Sequence, residues 1–144
     1  MSARSRVLAV DDDKLIRMEM RLMLGREGLE VDVAATCAEA RRLLGEHRYD
    51  VVLTDVDLPD ASGFQVLEDA IRIDPTIPVI LLTASSTLIS QEQARRAGAM
   101  SLLLKPFCLK DVVAEVRRAV LEHHPETRRL GESRRRAERE DLGA

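Results

Sequence analysis

The sequence is poor in aromatic residues, which make up 2% of its 144 residues and include no tryptophan. Hydrophobic residues nevertheless account for 45%, so the core of a single domain of this length must be aliphatic. Only two cysteines are present, Cys37 and Cys108, and they share no CxxC or Cys/His spacing. A structural disulfide or zinc site is therefore not expected, and both cysteines are interpreted as small apolar fillers.

Long apolar runs are also missing. No stretch approaches the roughly 20 apolar residues that a transmembrane helix requires. The first residues, 1–13, lack the uncharged core of a signal peptide. These absences predict a cytoplasmic protein with no membrane partner.

The end of the sequence has a different composition from the rest. Residues 125–144 contain six arginines and five acidic residues, with no apolar repeat. We therefore divide the chain into a folded domain, residues 1–122, and a charged C-terminal tail or linker, residues 123–144, that is disordered or partly helical. Mixed charge without aromatics argues against direct nucleic-acid binding by this segment. His123 and His124, at the boundary, are interpreted as surface residues.

Short apolar segments alternate five times with segments of helical periodicity. The predicted strands are 6–10, 30–35, 50–55, 77–82 and 100–104, and the predicted helices are 14–28, 36–47, 64–73, 87–97 and 109–121. This alternation predicts an α/β fold in which helices cover both faces of a parallel sheet.

Polar residues stand at or near the C-terminal ends of four predicted strands. They are Asp11 and Asp12 after the first strand, Asp55 at the end of the third, Thr83 after the fourth and Lys105 after the fifth. In a parallel sheet these ends lie on one edge, where open α/β proteins bind their ligands. Helix capping could explain one acid of the run 11–13, but not all three. Asp55 is central because a buried apolar run leads directly into it, and because Pro59 and Gly63 place the following residues in a loop.

The chemistry of this group of residues favours phosphoryl uptake. Two unit charges about 4 Å apart repel by about 4 kcal/mol at an effective dielectric of 20, so clustered carboxylates attract a cation or raise one another's pKa. Oxygen ligands suit Mg²⁺. The chain has three lysines against nineteen arginines, so the compact charge of Lys105 is not a habitual choice. With the hydroxyl of Thr83, these groups predict a site where Asp55 attacks a phosphoryl group.

The sequence resembles the receiver domain of two-component response regulators over residues 5–122. The residues that carry the resemblance are Asp11-Asp12, Asp55, Leu58-Pro59, Gly63, Thr83-Ala84, Gly98-Ala99 and Lys105-Pro106-Phe107. The resemblance implies a flavodoxin-like, doubly wound, five-stranded parallel sheet of order 2-1-3-4-5 with five helices. It also implies transfer of a phosphoryl group to Asp55 from a sensor histidine kinase or a histidine phosphotransfer protein.

The same resemblance implies a role for each site residue. Asp11, Asp12 and Asp55 would bind Mg²⁺ together with the backbone carbonyl of Asp57. Thr83 would shift toward the phosphoryl oxygens and Lys105 would pair with them. The domain would catalyse only its own phosphorylation and dephosphorylation, so it is not an enzyme in the usual sense. Its output would pass to a downstream protein effector or a covalently linked output domain.

Two features depart from the usual pattern of the family. Leu102 stands where the family usually has a tyrosine or phenylalanine, and a leucine cannot swing a hydroxyl between pocket and solvent as the usual rotamer readout does. The surface around Met100, Leu102 and the fourth helix is either an apolar partner-binding face or plain packing. Asp57 and Ser85, near the acceptor and the threonine, are predicted to tune the lifetime of the acyl phosphate, although an exposed loop acid is an equal alternative for Asp57.

Two other readings compete with a phosphorylated receiver. A pseudo-receiver that only binds partners is favoured by Leu102 and disfavoured by the intact set of polar residues. A haloacid-dehalogenase-type phosphatase is suggested by Asp55-Val56-Asp57. Such enzymes usually have threonine or valine where Pro59 stands, and they also need a cap for which no sequence remains.

Overall fold

The computed structural model describes residues 4–84 and 89–123. The elements in these ranges are, in chain order, β1 (Arg6–Val10), α1 (Lys14–Arg26), β2 (Glu30–Ala34), α2 (Cys37–Glu46), β3 (Val51–Asp55), α3 (Gly63–Ile73), β4 (Val79–Thr83), α4 (Gln91–Arg96), β5 (Ser101–Leu104) and α5 (Leu109–His123). The predicted alternation is confirmed. The largest difference is at α4, which begins after Ser90 because this residue caps the helix and Gln93 completes a capping box.

The five strands form one parallel sheet in the order β2-β1-β3-β4-β5. The predicted fold class and strand order are thus confirmed. All five residues of the central strand β3 are buried. Because helices cover both faces of the sheet, this strand begins with three consecutive apolar residues, 51–53, rather than an alternating pattern.

Each strand contributes to two apolar layers, since successive side chains point to opposite faces. In β1, Leu8 and Val10 lie in one cluster with residues of α2 and α3. Val7 and Ala9 lie in a second cluster with residues of α1 and α5. Each fully buried aliphatic side chain contributes about 1.5–3 kcal/mol, and both clusters consist mainly of such side chains, as predicted.

The two cysteines differ in their surroundings. Cys37 is buried at the start of α2, as predicted for a filler. Cys108 is exposed, so the same prediction is wrong for it. It directly precedes α5, and its carbonyl accepts from the N–H groups of Asp111 and Val112. Cys108 therefore lies at the N-terminus of the helix and not on its inner face.

His123 at the end of α5 is not a plain surface residue, in contrast to the prediction. Its Nδ1 lies 3.2 Å from Oδ1 of Asp50 and its Nε2 lies 2.7 Å from Oδ2 of Asp74. The histidine therefore joins α5 to the residue before β3 and the residue after α3. His124 and the predicted tail, from residue 124 onward, lie outside the described residues, as does Ser85. No helix in the described ranges is both long and apolar enough to cross a membrane.

Candidate functional site

The polar residues at the strand ends lie on one edge of the sheet. Asp11 follows β1, Asp55 ends β3, Thr83 ends β4 and Lys105 follows β5. Asp55 is in register with Leu82, so Thr83 stands one residue beyond the partner of the central aspartate. Asp11, Asp55 and Thr83 are all buried. The sheet topology thus brings four predicted site residues, separated in sequence, to one location.

Lys105 joins two of these carboxylates. Its Nζ donates to Oδ2 of Asp11 at 2.7 Å and to Oδ2 of Asp55 at 2.9 Å. Burial of the amine works against its charge, but the hydrogen bonds and charges of both aspartates outweigh burial and raise the pKa of Lys105. The lysine is therefore held as a cation between them.

Asp11 has the opposite balance. Its side chain is fully buried, and this burial raises its pKa despite hydrogen bonds from Lys105 and from the N–H of Asp13. An ionised Asp11 is thus incompletely stabilised by the protein alone. A further cation nearby would favour its charged form.

Asp11, Asp12 and Asp55 form a cluster that fits a divalent cation. One carboxylate oxygen from each lies within 4.8 Å of the others. Three ionised carboxylates and one ammonium group leave two net negative charges, which a divalent ion would neutralise. An all-oxygen set with one exposed member, Asp12, leaves room for water, as Mg²⁺ requires.

Asp13 caps helix α1, the role that the sequence allowed for one acid of the run 11–13. Its Oδ1 accepts from the N–H of Leu15 at 2.9 Å and of Ile16 at 3.4 Å, at the start of α1. Its own N–H donates to Oδ1 of Asp11 at 2.9 Å. Capping therefore accounts for Asp13 alone, and the other two acids belong to the cluster.

The segment after Asp55 is folded tightly against it. The N–H of Asp57 donates to Oδ1 of Asp55 at 3.1 Å, while the side chain of Asp57 is exposed. A Cβ atom at Gly63 would overlap the carbonyl oxygen of Asp55. Gly63 is therefore required for close approach to the backbone of Asp55, rather than for a turn as the sequence suggested.

Leu102 is a packing residue. Only 3% of it is exposed, within the cluster formed with α2 and α3, so for this residue the structure favours packing over a partner-binding face. Met100 packs partly buried against the other cluster. The side chain of Gln91 accepts from the N–H of Leu102 at 3.2 Å and donates to its carbonyl at 2.6 Å. Sequence reasoning missed Gln91, because no motif marks a side chain that pairs with an edge strand.

Comparison with known proteins agrees with this geometry. The family model described as response regulator receiver domain matches residues 7–117. The chain is 34% identical over 125 residues to the DNA-binding transcriptional regulator NtrC of Azospirillum brasilense, covering 87% of this chain and 26% of that protein. The chain spans about a quarter to just over half of the length of curated relatives of this kind.

Solved structures give the same result. A CheY-like response regulator receiver domain protein from Methanospirillum hungatei JF-1 superimposes with a TM-score of 0.80 at 30% identity, covering 86% of this chain and 99% of that one. The receiver domain of sensor histidine kinase PA1611 from Pseudomonas aeruginosa PAO1, which has a magnesium ion coordinated in its active site cleft, gives 0.72 at 27% identity, covering 82% and 98%. Because the family model covers residues 7–117 of the 144, the chain belongs to the response regulator receiver domain family.

Proposed function

We propose that residues 1–122 form a phosphoacceptor domain that takes a phosphoryl group onto Asp55 in a Mg²⁺-dependent reaction. The donor is a phosphohistidine on a sensor histidine kinase or a histidine phosphotransfer protein. The observation that supports this most directly is the position of Lys105, whose amine contacts both Asp11 and Asp55 beside the three-carboxylate cluster.

In the proposed reaction a carboxylate oxygen of Asp55 attacks the phosphorus atom. The new O–P bond forms as the P–N bond to the donor imidazole breaks, and the bonding electron pair stays with that imidazole. Both oxygens of Asp55 already accept hydrogen bonds, Oδ1 from Asp57 N–H and Oδ2 from Lys105. Such fixed contacts orient the nucleophile before the donor arrives.

Charge on the transferred group has to be neutralised. Mg²⁺ held by Asp11, Asp12, Asp55 and the carbonyl of Asp57 would neutralise part of this negative charge and orient the phosphoryl oxygens. The magnesium ion in the active site cleft of the similar PA1611 receiver supports a magnesium site in this domain. Lys105 supplies the remaining positive charge as a hydrogen-bond donor.

Thr83 is proposed to contact the phosphoryl group through its hydroxyl, because it is buried at the end of the strand beside Asp55. Asp57 is proposed to affect hydrolysis of the acyl phosphate, since its carboxylate is exposed two residues from the acceptor. Ser85 is proposed for the same role from the sequence alone. If Asp57→Asn leaves the dephosphorylation rate unchanged, Asp57 does not have this role.

The partners of the whole protein are proposed from the relatives. The phosphorylated domain would act through a downstream protein effector or a covalently linked output domain, in the cytoplasm and without direct contact to nucleic acid. The residues after His123, which ends α5, would be a charged tail or linker. A pseudo-receiver and a phosphatase are less well supported, since the lysine and acidic cluster are assembled and the family match is to receivers.

The test is phosphorylation by acetyl phosphate, which needs no cognate kinase. The chain is incubated with acetyl phosphate and Mg²⁺, and its intact mass is measured. We expect one phosphoryl increment on the wild type and none after chelation of Mg²⁺ or in Asp55→Asn. No increment on the wild type, or an increment that persists in Asp55→Asn, would contradict the proposal.

A further inference from the structure

The loop after Asp55 is attached to a distant helix through the side chain of Asp60. Oδ1 of Asp60 accepts from the N–H of Cys37 at 2.9 Å, and Oδ2 accepts from the N–H of Ala38 at 3.0 Å. These two N–H groups are the first in α2, where backbone donors have no partner within the helix. A carboxylate from residues 57–62 thus binds the start of a helix that lies more than twenty residues earlier in the chain.

This contact is additional to the ordinary cap of α2. Thr36 is the N-cap residue, and its hydroxyl accepts from the N–H of Glu39 at 3.1 Å. The carboxylate of Glu39 in turn accepts from the N–H of Ala35 at 2.6 Å. Local residues thus bind the N–H groups of Glu39 and Ala35, while Asp60 binds the first two donors of the helix and ties the loop to them.

The carboxylate suits this contact in charge as well as shape. The N–H groups of Cys37 and Ala38 hold the pKa of Asp60 below its ordinary value. Two acceptor oxygens match two consecutive donors, and a negative charge is favourable at the positive end of a helix. An asparagine offers a single, uncharged acceptor oxygen, so it would hold the two donors more weakly than the carboxylate does.

The loop that Asp60 attaches to α2 contains Asp57, whose backbone belongs to the proposed phosphorylation site. Asp57, three residues before Asp60, donates its N–H to Asp55 and forms an isolated antiparallel bridge with Ser62. Leu58 packs partly buried against the apolar cluster below. The loop is therefore fixed at its two ends by backbone contacts and in the middle by the carboxylate of Asp60.

We infer that Asp60 is a positioning residue for the metal and acceptor site, acting through the backbone of Asp57. By fixing the loop to α2, it holds the N–H of Asp57 on Asp55 and the carbonyl of Asp57 in place for the cation. The inference rests on the proposed function, because the carbonyl of Asp57 matters only if the site binds Mg²⁺.

The experiment measures Mg²⁺ affinity of the unphosphorylated full chain by isothermal titration calorimetry. Asp60→Ala is expected to weaken Mg²⁺ binding by about tenfold, the lower end of the effect of groups that orient metal ligands, and Asp60→Asn by less. Thr36→Ala is the matched control, because it removes a cap from the same helix without touching the loop. It is expected to lower the melting temperature while leaving the Mg²⁺ Kd unchanged.

Amide hydrogen exchange provides a second measurement that does not depend on the metal. We expect faster exchange at Asp57 in Asp60→Ala and an unchanged rate there in Thr36→Ala. A wild-type Kd and exchange rate in Asp60→Ala would overturn the inference, as would equal weakening by Thr36→Ala. If Asp60→Ala does not fold, the size-matched Asp60→Asn decides by the same criteria. Failure of the wild type itself to bind Mg²⁺ would instead refute the proposed function.

Discussion

Nζ of Lys105 lies 2.7 Å from Oδ2 of Asp11, a residue 94 positions earlier in the chain. The same amine lies 2.9 Å from Oδ2 of Asp55, and 17% of the lysine side chain is exposed. One cation therefore holds together the C-terminal ends of three strands of the sheet. Its removal affects both the stability of the fold and the charge available to a metal ion.

Lys105→Met is expected to destabilise the chain by about 3 kcal/mol in chelator, since it leaves the buried Asp11 without its cationic partner. Mg²⁺ should restore much of this loss, because the carboxylate cluster becomes more negative and attracts the ion more strongly. Urea unfolding with and without Mg²⁺ measures both effects. Lys110→Met, at an exposed position of α5, is the control and should change neither.

Gly63→Ala is expected to prevent normal folding around Asp55, because the added Cβ would overlap the carbonyl oxygen of Asp55. The backbone cannot yield cheaply there, so we expect a loss of several kcal/mol, of the order of severe overpacking. Gly45→Ala provides the opposite result. Gly45 lies within α2, and a methyl group added to it would have nothing within 4 Å, so this exchange should stabilise the chain by up to about 1 kcal/mol. Thermal unfolding distinguishes the two.

Asp74 gives the chain a dependence on acid pH. Burial alone would raise the pKa of Asp74, but hydrogen bonds from His123 and Thr76 outweigh it and lower this pKa below its ordinary value. The unfolded chain therefore takes up a proton before the folded chain does as the pH falls. The stabilisation is present above the ordinary aspartate pKa and is lost as the pH falls through the lower, folded value.

Asp74→Asn should accordingly be less stable than the wild type at neutral pH, and the difference should shrink on acidification. Because this side chain is 35% exposed, solvent screening limits the effect to about 1 kcal/mol. Chemical denaturation from pH 7 down to pH 3 measures it. Glu122→Gln, beside the bridge but exposed, is the control. A constant difference in stability over this range would show that the ionised carboxylate of Asp74 is not its source.

Gln91→Ala is expected to destabilise β5, the last strand of the sheet, because it removes the side chain that binds both the N–H and the carbonyl of Leu102. Leaving a buried backbone group unpaired costs about 1–3 kcal/mol. We expect this loss in unfolding free energy, together with faster amide exchange at Leu102. Glu92→Ala, which removes only an exposed pair with Arg96, should do neither. Equal exchange at Leu102 in both variants would show that Gln91 does not protect the strand edge.

The fold followed closely from the sequence because its signals are local. Apolar runs such as 51–54 alternate with segments of helical periodicity, which is the pattern of a βα fold, and the family resemblance added the strand order. The grouping of Asp11, Asp55 and Lys105 also followed, since every parallel strand delivers its C-terminal end to the same edge. The role of Asp13 as a cap is the local exception that the sequence left open.

The contacts between distant elements could not be obtained in this way. Asp60 reaches α2, Gln91 pairs with Leu102, and His123 joins Asp50 to Asp74, and none of these pairs has a periodic signature. Each is a polar side chain whose local context resembles that of many exposed residues. Their partners depend on where packing places other elements within hydrogen-bond distance.

The sequence by itself determined the succession of strands and helices along the chain, the aliphatic core and the identity of the acidic residues at the C-terminal ends of the strands. These signals are local, because hydrophobic periodicity and strand polarity act over a few residues. Tertiary structure alone decided which carboxylates share Lys105, why Gly63 must lack a side chain and what secures the loop beside Asp55. Each depends on contacts of 3.0 Å or less between atoms of different elements or loops, and such contacts are set only when both layers of the core have packed.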